Sequence, residues 1–214
     1  MRDLRLHYGL GVDAVAIESL AIPAGGRVAI TGPSGSGKTS LLHLLCGIER
    51  PSAGDIRWGA VELTALHEAA RDRWRRDHVG LVFQDFHLVP GLSVLGNILL
   101  PAAFGGRVPT NLRQRALDMI RKVGLERPDQ DADTLSRGEM QRAAVARAAL
   151  FSPPILMADE PTASLDADRA AVVADLLFSV AEACAATLIV VTHAPALCAR
   201  FDTVIAMDHG RIVA

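Results

Sequence analysis

The run Gly32-Pro33-Ser34-Gly35-Ser36-Gly37-Lys38-Thr39 satisfies the spacing G-x-x-x-x-G-K-[ST]. A polyphosphate needs many donors close together and no bulk in the way. Glycines meet both demands, because their backbone N–H groups can turn inward and approach the oxygens. The residues from Ser40 onward read as a helix whose positive end adds to the attraction. Lys38 can reach the β- and γ-phosphates, and the Thr39 hydroxyl can hold Mg²⁺. The spacing predicts a nucleoside triphosphate with magnesium as the ligand.

A second pair of chemical groups is Asp159-Glu160, at the end of an apolar run. Beside a phosphate loop, an acid at a strand end can hold the magnesium through water. A neighbouring carboxylate can orient or deprotonate an attacking water, which would make the reaction a hydrolysis. Taken alone, the pair also reads as two solvated acids after a strand.

The elements that must position these groups follow from periodicity. Arg27 to Thr31 reads as a buried strand ahead of the glycine loop, and Ser40 to Cys46 as a helix stopped by Gly47. Val79 to Phe83 is a short strand with Gln84 at its exit; Pro154 to Ala158 runs into the acids, and Thr187 to Val191 is a further apolar strand. Between the last two, Val172, Leu176, Val180 and Cys184 predict one helix face. Leu4 to Tyr8 and Val15 to Ile22 predict edge strands joined by a turn at Gly9 to Asp13. Arg50 to Gly54 reads as a loop, Asp55 to Trp58 with Val61 as a hairpin, and Thr203 to Met207 with Arg211 to Val213 as another. Asp85 to about Leu150 turns to loops and helices, one running from Leu112 to Val123 with Gly124 as its stop. Arg71, Arg73, Arg75 and Arg76 could form a phosphate or lipid-headgroup patch, but Glu68, Asp72 and Asp77 interleave with them, which favours a solvated helix face.

The chain's 214 residues suffice for one substantial core with a smaller satellite. Strands alternating with helices imply an α/β fold with a mainly parallel central sheet, an N-terminal antiparallel β layer and an inserted α-helical subdomain. On this reading 1–84 and 151–214 form the catalytic core of a single domain, and about 85–150 the helical subdomain. A formal charge of −2 and 4% aromatic residues give no sign of a nucleic-acid partner. Cys46, Cys184 and Cys198 stand apart, with no pairing to suggest zinc or redox chemistry, and point to a reducing compartment. His7, His43, His67, His78, His87 and His209 show no metal-ligand spacing, so packing or surface roles are expected. The N-terminal residues lack a signal-peptide core, and no apolar run approaches the roughly 18 residues of a membrane span.

Leu135-Ser136-Arg137-Gly138-Glu139-Met140-Gln141-Arg142 resembles the LSGGQ-x-QR signature of ABC-transporter ATPases. The other motifs of that family occur around it in order. Tyr8 resembles the aromatic that stacks on adenine, Gly32 to Thr39 the Walker A loop, and Gln84 the Q-loop glutamine. Ile155 to Glu160 resembles Walker B, Ser164-Leu165-Asp166 the D-loop, and Thr192-His193 the switch histidine. The resemblance implies ATP and Mg²⁺ as cofactors. It assigns the phosphates to Pro33, Ser34, Gly35, Ser36, Gly37, Lys38 and Ser40 within the loop, and the metal to Thr39, Gln84 and Asp159. Glu160 would polarise the water and His193 contact the γ-phosphate. Ser136, Gly138 and Glu139, with Asp166, would complete the site of a second copy, two ATPs being sandwiched between head-to-tail subunits. Arg137 departs from the family by replacing the first signature glycine, while Gly138 is kept.

A finer resemblance joins Phe83 to Pro90, then Gly91 to Asn97 and Pro101, to the lipoprotein-releasing and macrolide-efflux group, although amino-acid importers share parts of it. The expectation is an ATP-hydrolysing subunit that dimerises on ATP, as a homodimer, and powers a separate integral membrane permease. It would be peripheral, on the cytoplasmic face of the inner membrane. The alternative is a regulatory or non-transport ABC ATPase of the cell-wall-control or DNA-repair type.

Overall fold

Runs of apolar residues too short for helices dictate the centre of the molecule, because such runs are stable only as strands covered on both faces. The computed structural model describes residues 1–9, 13–104, 106, 108–163 and 165–213. In chain order, strands β1 (Arg2–His7), β2 (Asp13–Ser19) and β3 (Arg27–Thr31) precede helix α1 (Lys38–Leu45). Strand β4 (Ala53–Asp55), the hairpin of β5 (Arg57–Trp58) and β6 (Val61–Glu62), and helix α2 (Glu68–His78) lead into β7 (Val79–Val82). Helices α3 (Val94–Ala103), α4 (Thr110–Lys122) and α5 (Arg137–Ala148) stand between β7 and β8 (Ile155–Asp159). Helix α6 (Ala167–Ala183), β9 (Thr187–Val191), the short α7 (Pro195–Cys198), β10 (Thr203–Asp208) and β11 (Arg211–Ile212) follow.

The central sheet has the order β11-β10-β3-β9-β8-β7, and every pair in it is parallel except β10 with β11. Every residue of β8 and β9 is buried. Alternate side chains serve opposite faces. Leu156, Ala158, Leu188, Val190 and Ala29 pack with α3 to α6, while Ile155, Met157, Ile189, Val191 and Ile30 pack with α1 and the N-terminal layer. Truncating one of these fully buried leucines or isoleucines to alanine typically costs about 2–5 kcal/mol. The N-terminal layer is antiparallel, in the order β2-β1-β4.

Several elements depart from the sequence reading. The edge strands begin two residues earlier than predicted, Tyr8 falls outside β1, and β2 ends at Ser19; of the turn expected at Gly9 to Asp13, residues 10–12 lie outside the described ones. The segment read as a loop, Arg50 to Gly54, runs into β4 at Ala53. Helix α1 starts at Lys38, capped by a left-handed Gly37 with no side-chain hydrogen bond, which is why a side-chain cap rule misses its start. Helix α3 carries Pro101 inside it and was not anticipated as a helix. The buried face of α6 uses Val173, Leu177, Val180 and Ala181, whereas Val172 is 55% exposed. Cys184 caps that helix, half-buried against the core. In α2, Arg71 and Arg75 turn inward and both donate to the Gly47 carbonyl, at 2.9 and 2.8 Å, so the face is only partly solvated. Cys46 is fully buried, which pushes its thiol up to about 11 and leaves it unreactive.

Candidate functional site

Strands β3, β9, β8 and β7 are successive neighbours in the sheet, so their C-terminal ends bring four chain segments side by side. The glycine loop follows β3, Thr192-His193 follows β9, Glu160 follows Asp159 at the end of β8, and Gln84 follows β7 with Phe83 between them. Ligands of parallel α/β sheets bind at this end of the strands. A cavity of about 700 Å³ opens there, lined by Gly32, Pro33, Ser34, Gly35, Gly37, Lys38, Thr39 and Ser40, with Tyr8, Gln84, Glu160 and His193 around it. A larger cavity, about 940 Å³, touches the opposite ends of β8 and β9 at Ile155 and Thr187 and contains none of these groups.

The loop is held open by its backbone. Gly32 has φ 147° and Gly37 φ 92°. A Cβ on Gly32 would stand 2.1 Å from the Met207 carbonyl oxygen, and one on Gly37 2.1 Å from that of Ala14. The hairpin of β10 and β11 braces the loop further, Gly210 N–H donating to the Ser36 carbonyl at 3.0 Å. Lys38 is buried, and its ammonium donates to the carbonyls of Gly32 at 2.9 Å and Pro33 at 2.8 Å. An ammonium has three donors, which leaves one to point at a phosphate oxygen. The first N–H groups of α1 have no side-chain cap and face the same loop. Ser36 is itself buried beneath the loop rather than lining the cavity.

Asp159 lies under the cavity, 5% exposed, and its Oδ1 has no hydrogen-bond partner. Burial raises its pKa; a hydrogen bond from Thr39 works against that, and the Glu160 charge adds to it. Folding therefore makes this carboxyl easier to protonate. Its charged form costs stability at neutral pH, and that cost fades as pH falls through the raised folded value. We expect Asp159→Asn to raise the melting temperature at neutral pH, while Mg²⁺-dependent ATP binding is lost. Thermal melts from neutral pH down to about pH 4 check this, the gap between variant and wild type closing toward acid.

Glu160 has φ 46°, a left-handed conformation held by its N–H donating to the Val191 carbonyl at 2.9 Å. Its carboxylate Oε1 is 2.8 Å from His193 Nδ1, which donates in the tautomer carrying that proton. Thr192, fully buried, fixes the histidine's strand end by donating its N–H to the Ile30 carbonyl at 3.0 Å. A carboxylate and an imidazole are thus paired at the mouth of a phosphate loop, an arrangement suited to moving a proton from water.

Tyr8 stands at the rim, 60% exposed, its hydroxyl donating to Glu49 at 2.6 Å and lying 3.3 Å from Ser40 Oγ. Glu49 was not foreseen, because nothing in its sequence neighbourhood links it to Tyr8. Ser136, Gly138 and Glu139 are at the N-terminus of α5 and do not line this chain's cavity. Ser136 Oγ accepts from Glu139 N–H at 3.4 Å, and Glu139 Oε2 accepts from the Ser136 hydroxyl at 2.6 Å and from Ser136 N–H at 2.8 Å; the hydroxyl first, then the amide, holds the Glu139 carboxyl below its usual range. Asp166 caps α6, accepting from Arg169 N–H at 2.9 Å, away from the cavity; Ser164 lies outside the described residues. His67 caps α2 and His78 stacks on Trp74 at 5.3 Å, local structural roles.

The family model described as ABC transporter matches residues 17–163. A lipoprotein-releasing system ATP-binding protein, LolD, of Chromohalobacter salexigens is 41% identical over 194 residues, covering 90% of this chain and 82% of that one. An uncharacterized ABC transporter ATP-binding protein of Mycobacterium tuberculosis is 41% identical over 87% of this chain and 75% of its own length. Among solved structures, the dimeric ATP-binding cassette MJ0796, in a post-hydrolysis state with ADP and Pi, superposes with a TM-score of 0.91 at 32% identity, covering 100% of this chain and 95% of that one. The structure of cbiO1 from Clostridium perfringens, part of the cbiONQ transporter complex, gives 0.86 at 28% identity, covering 100% and 85%.

Proposed function

Since the chain belongs to the ABC transporter family, as an ATP-binding and ATP-hydrolysing subunit, we propose that it works as half of a head-to-tail homodimer that closes around two ATP molecules and drives an integral membrane partner. The relatives are transporter components, which favours this function over a regulatory or DNA-repair ATPase. The observation that carries the dimer is the separation of the two phosphate-binding elements. The glycine loop lines the cavity, while Ser136 and Gly138 present the start of α5 elsewhere on the same chain. A helix N-terminus suits the γ-phosphate of a second copy, to which the Ser136 hydroxyl would turn from the Glu139 carboxylate it bonds at 2.6 Å.

Within each half-site, Lys38 and the loop amides bind the phosphates, and the Tyr8 ring supports the adenine. Mg²⁺ fits the oxygen donors available. The unpartnered Asp159 Oδ1, the Thr39 hydroxyl and the Gln84 amide oxygen would hold it, and when bound it neutralises charge on the phosphate oxygens. Glu160 takes a proton from water as the water oxygen bonds to the γ-phosphorus and the bond to the β-phosphate oxygen breaks, releasing ADP. His193 keeps Glu160 oriented and contacts the transferring group.

The inserted stretch of about 85–150 is read as the subdomain that meets the membrane partner, of the lipoprotein-releasing or macrolide-efflux type. No described helix is long and apolar enough to cross a membrane, so attachment at the cytoplasmic face would come through that partner. Light scattering with ATP tests the dimer: Ser136→Arg should stay monomeric while its ATP affinity stays within about twofold of wild type. A Ser136→Arg dimer formed on ATP would rule out the head-to-tail arrangement.

A further inference from the structure

Helix α5 ends on a contact that phosphate binding does not require. Gln84 stands in a turn closed by Phe86 N–H donating to the Phe83 carbonyl at 3.1 Å, and His87 N–H then donates to the Asp85 carbonyl at 2.6 Å. Phe86 and His87 have φ of 60° and 46°. Two successive left-handed residues bearing side chains are strained, and such strain persists only where the surroundings over-determine the backbone. Burial of the Phe86 ring in the helical core supplies part of that restraint. Arg147, in the last turn of α5, supplies the rest: its guanidinium donates to the His87 carbonyl at 2.6 Å and also to the Phe86 carbonyl. Among the described residues Arg147 makes no ion pair, so its planar fork is committed to these two consecutive carbonyls.

The same helix begins at the Ser136 cap, so its 12 residues form one rigid rod about 18 Å long. We propose that Arg147 is a positioning residue for hydrolysis. It clamps the turn after Gln84 to the far end of the helix whose start faces the partner's nucleotide, so that engagement at Ser136 and the placement of Gln84 are mechanically one event. The inference rests on the reading of Gln84 and Ser136 given above.

The test compares ATP turnover and ATP affinity for Arg147→Ala, Arg147→Lys, Gln84→Ala and the Arg147→Ala/Gln84→Ala double variant. Arg147→Ala should lower kcat about tenfold with the ATP Kd within about twofold of wild type. Arg147→Lys, able to reach one carbonyl, should recover part of that loss. In the Gln84→Ala background the loss on removing Arg147 should shrink to about twofold or less. Losses that multiply instead would overturn the proposal alone, since Arg147 would then act independently of Gln84; so would a kcat unchanged in Arg147→Ala. A wild-type rate in Gln84→Ala would overturn the assignment of Gln84 beneath it. Should Arg147→Ala fold poorly, Arg147→Lys with and without Gln84→Ala decides the same question.

Discussion

Glu160→Gln should lower ATP hydrolysis at least about a hundredfold while ATP still binds, leaving a stable ATP-loaded dimer. The amide keeps the size of the carboxylate and its oxygen can still accept from His193 Nδ1, so the left-handed turn at residue 160 and its backbone bond to Val191 should survive. What disappears is the ability to take a proton from water. Binding and chemistry should therefore separate, with ATP affinity near wild type and turnover collapsed. Steady-state ATPase assays with light scattering in ATP read both quantities. Turnover at the wild-type rate would remove Glu160 from its role and leave His193 as the base to be tested next.

Gly32→Ala should abolish tight ATP binding, weakening it more than about a hundredfold, and cost about 3 kcal/mol or more of stability. Its Cβ would lie 2.1 Å from a backbone oxygen of the central sheet and 2.9 Å from Ser36 Oγ, at a φ of 147°. Neither neighbour can retreat without moving β10 or the loop itself. Gly35→Ala is the internal control: its φ is 78°, but a Cβ there would meet nothing within 4 Å. It should lose only about 1–2 kcal/mol to strain. Titration with a fluorescent ATP analogue and thermal melts of both variants check the contrast, and equal behaviour of the two would mean that the loop moves freely against β10.

Much of the site was legible because its chemistry is local. The strands Arg27–Thr31 and Thr187–Val191 match the structure residue for residue, since burial on both faces turns a central strand into an uninterrupted apolar run. The half-exposed edge strands have no such boundary and slipped by two residues. The phase of α6 was misjudged because Val172 and Val173 are chemically alike, and only packing against the sheet buries the second. Helix α3 was obscured by Pro101, whose missing N–H normally argues against a helix interior. Asn97 on that helix, fully buried, holds Val89, Leu92 and Ser93 by four hydrogen bonds, and Arg147 holds Phe86 and His87. Neither leaves a spacing to read: the Asn97 bonds stay within eight residues but follow no motif, and Arg147 reaches backbone carbonyls about 60 residues away. Ser136 was legible only through its family resemblance, because the group it is expected to meet belongs to another molecule.

The strand order has a consequence for how such a protein can change over time. Strands β7 and β8 pair in parallel, Val79 with Ile155 through Val82 with Ala158, although α3, α4 and α5 all intervene between them in the chain. The excursion leaves and re-enters the sheet at adjacent positions, so its length and surface can drift without altering the register beneath Asp159. Divergence on the outer faces of α3 and α4 is thereby uncoupled from the register of the strands that carry Asp159. Mutational freedom should run through the outer faces of α3 and α4 and stop at the two carbonyls gripped by Arg147.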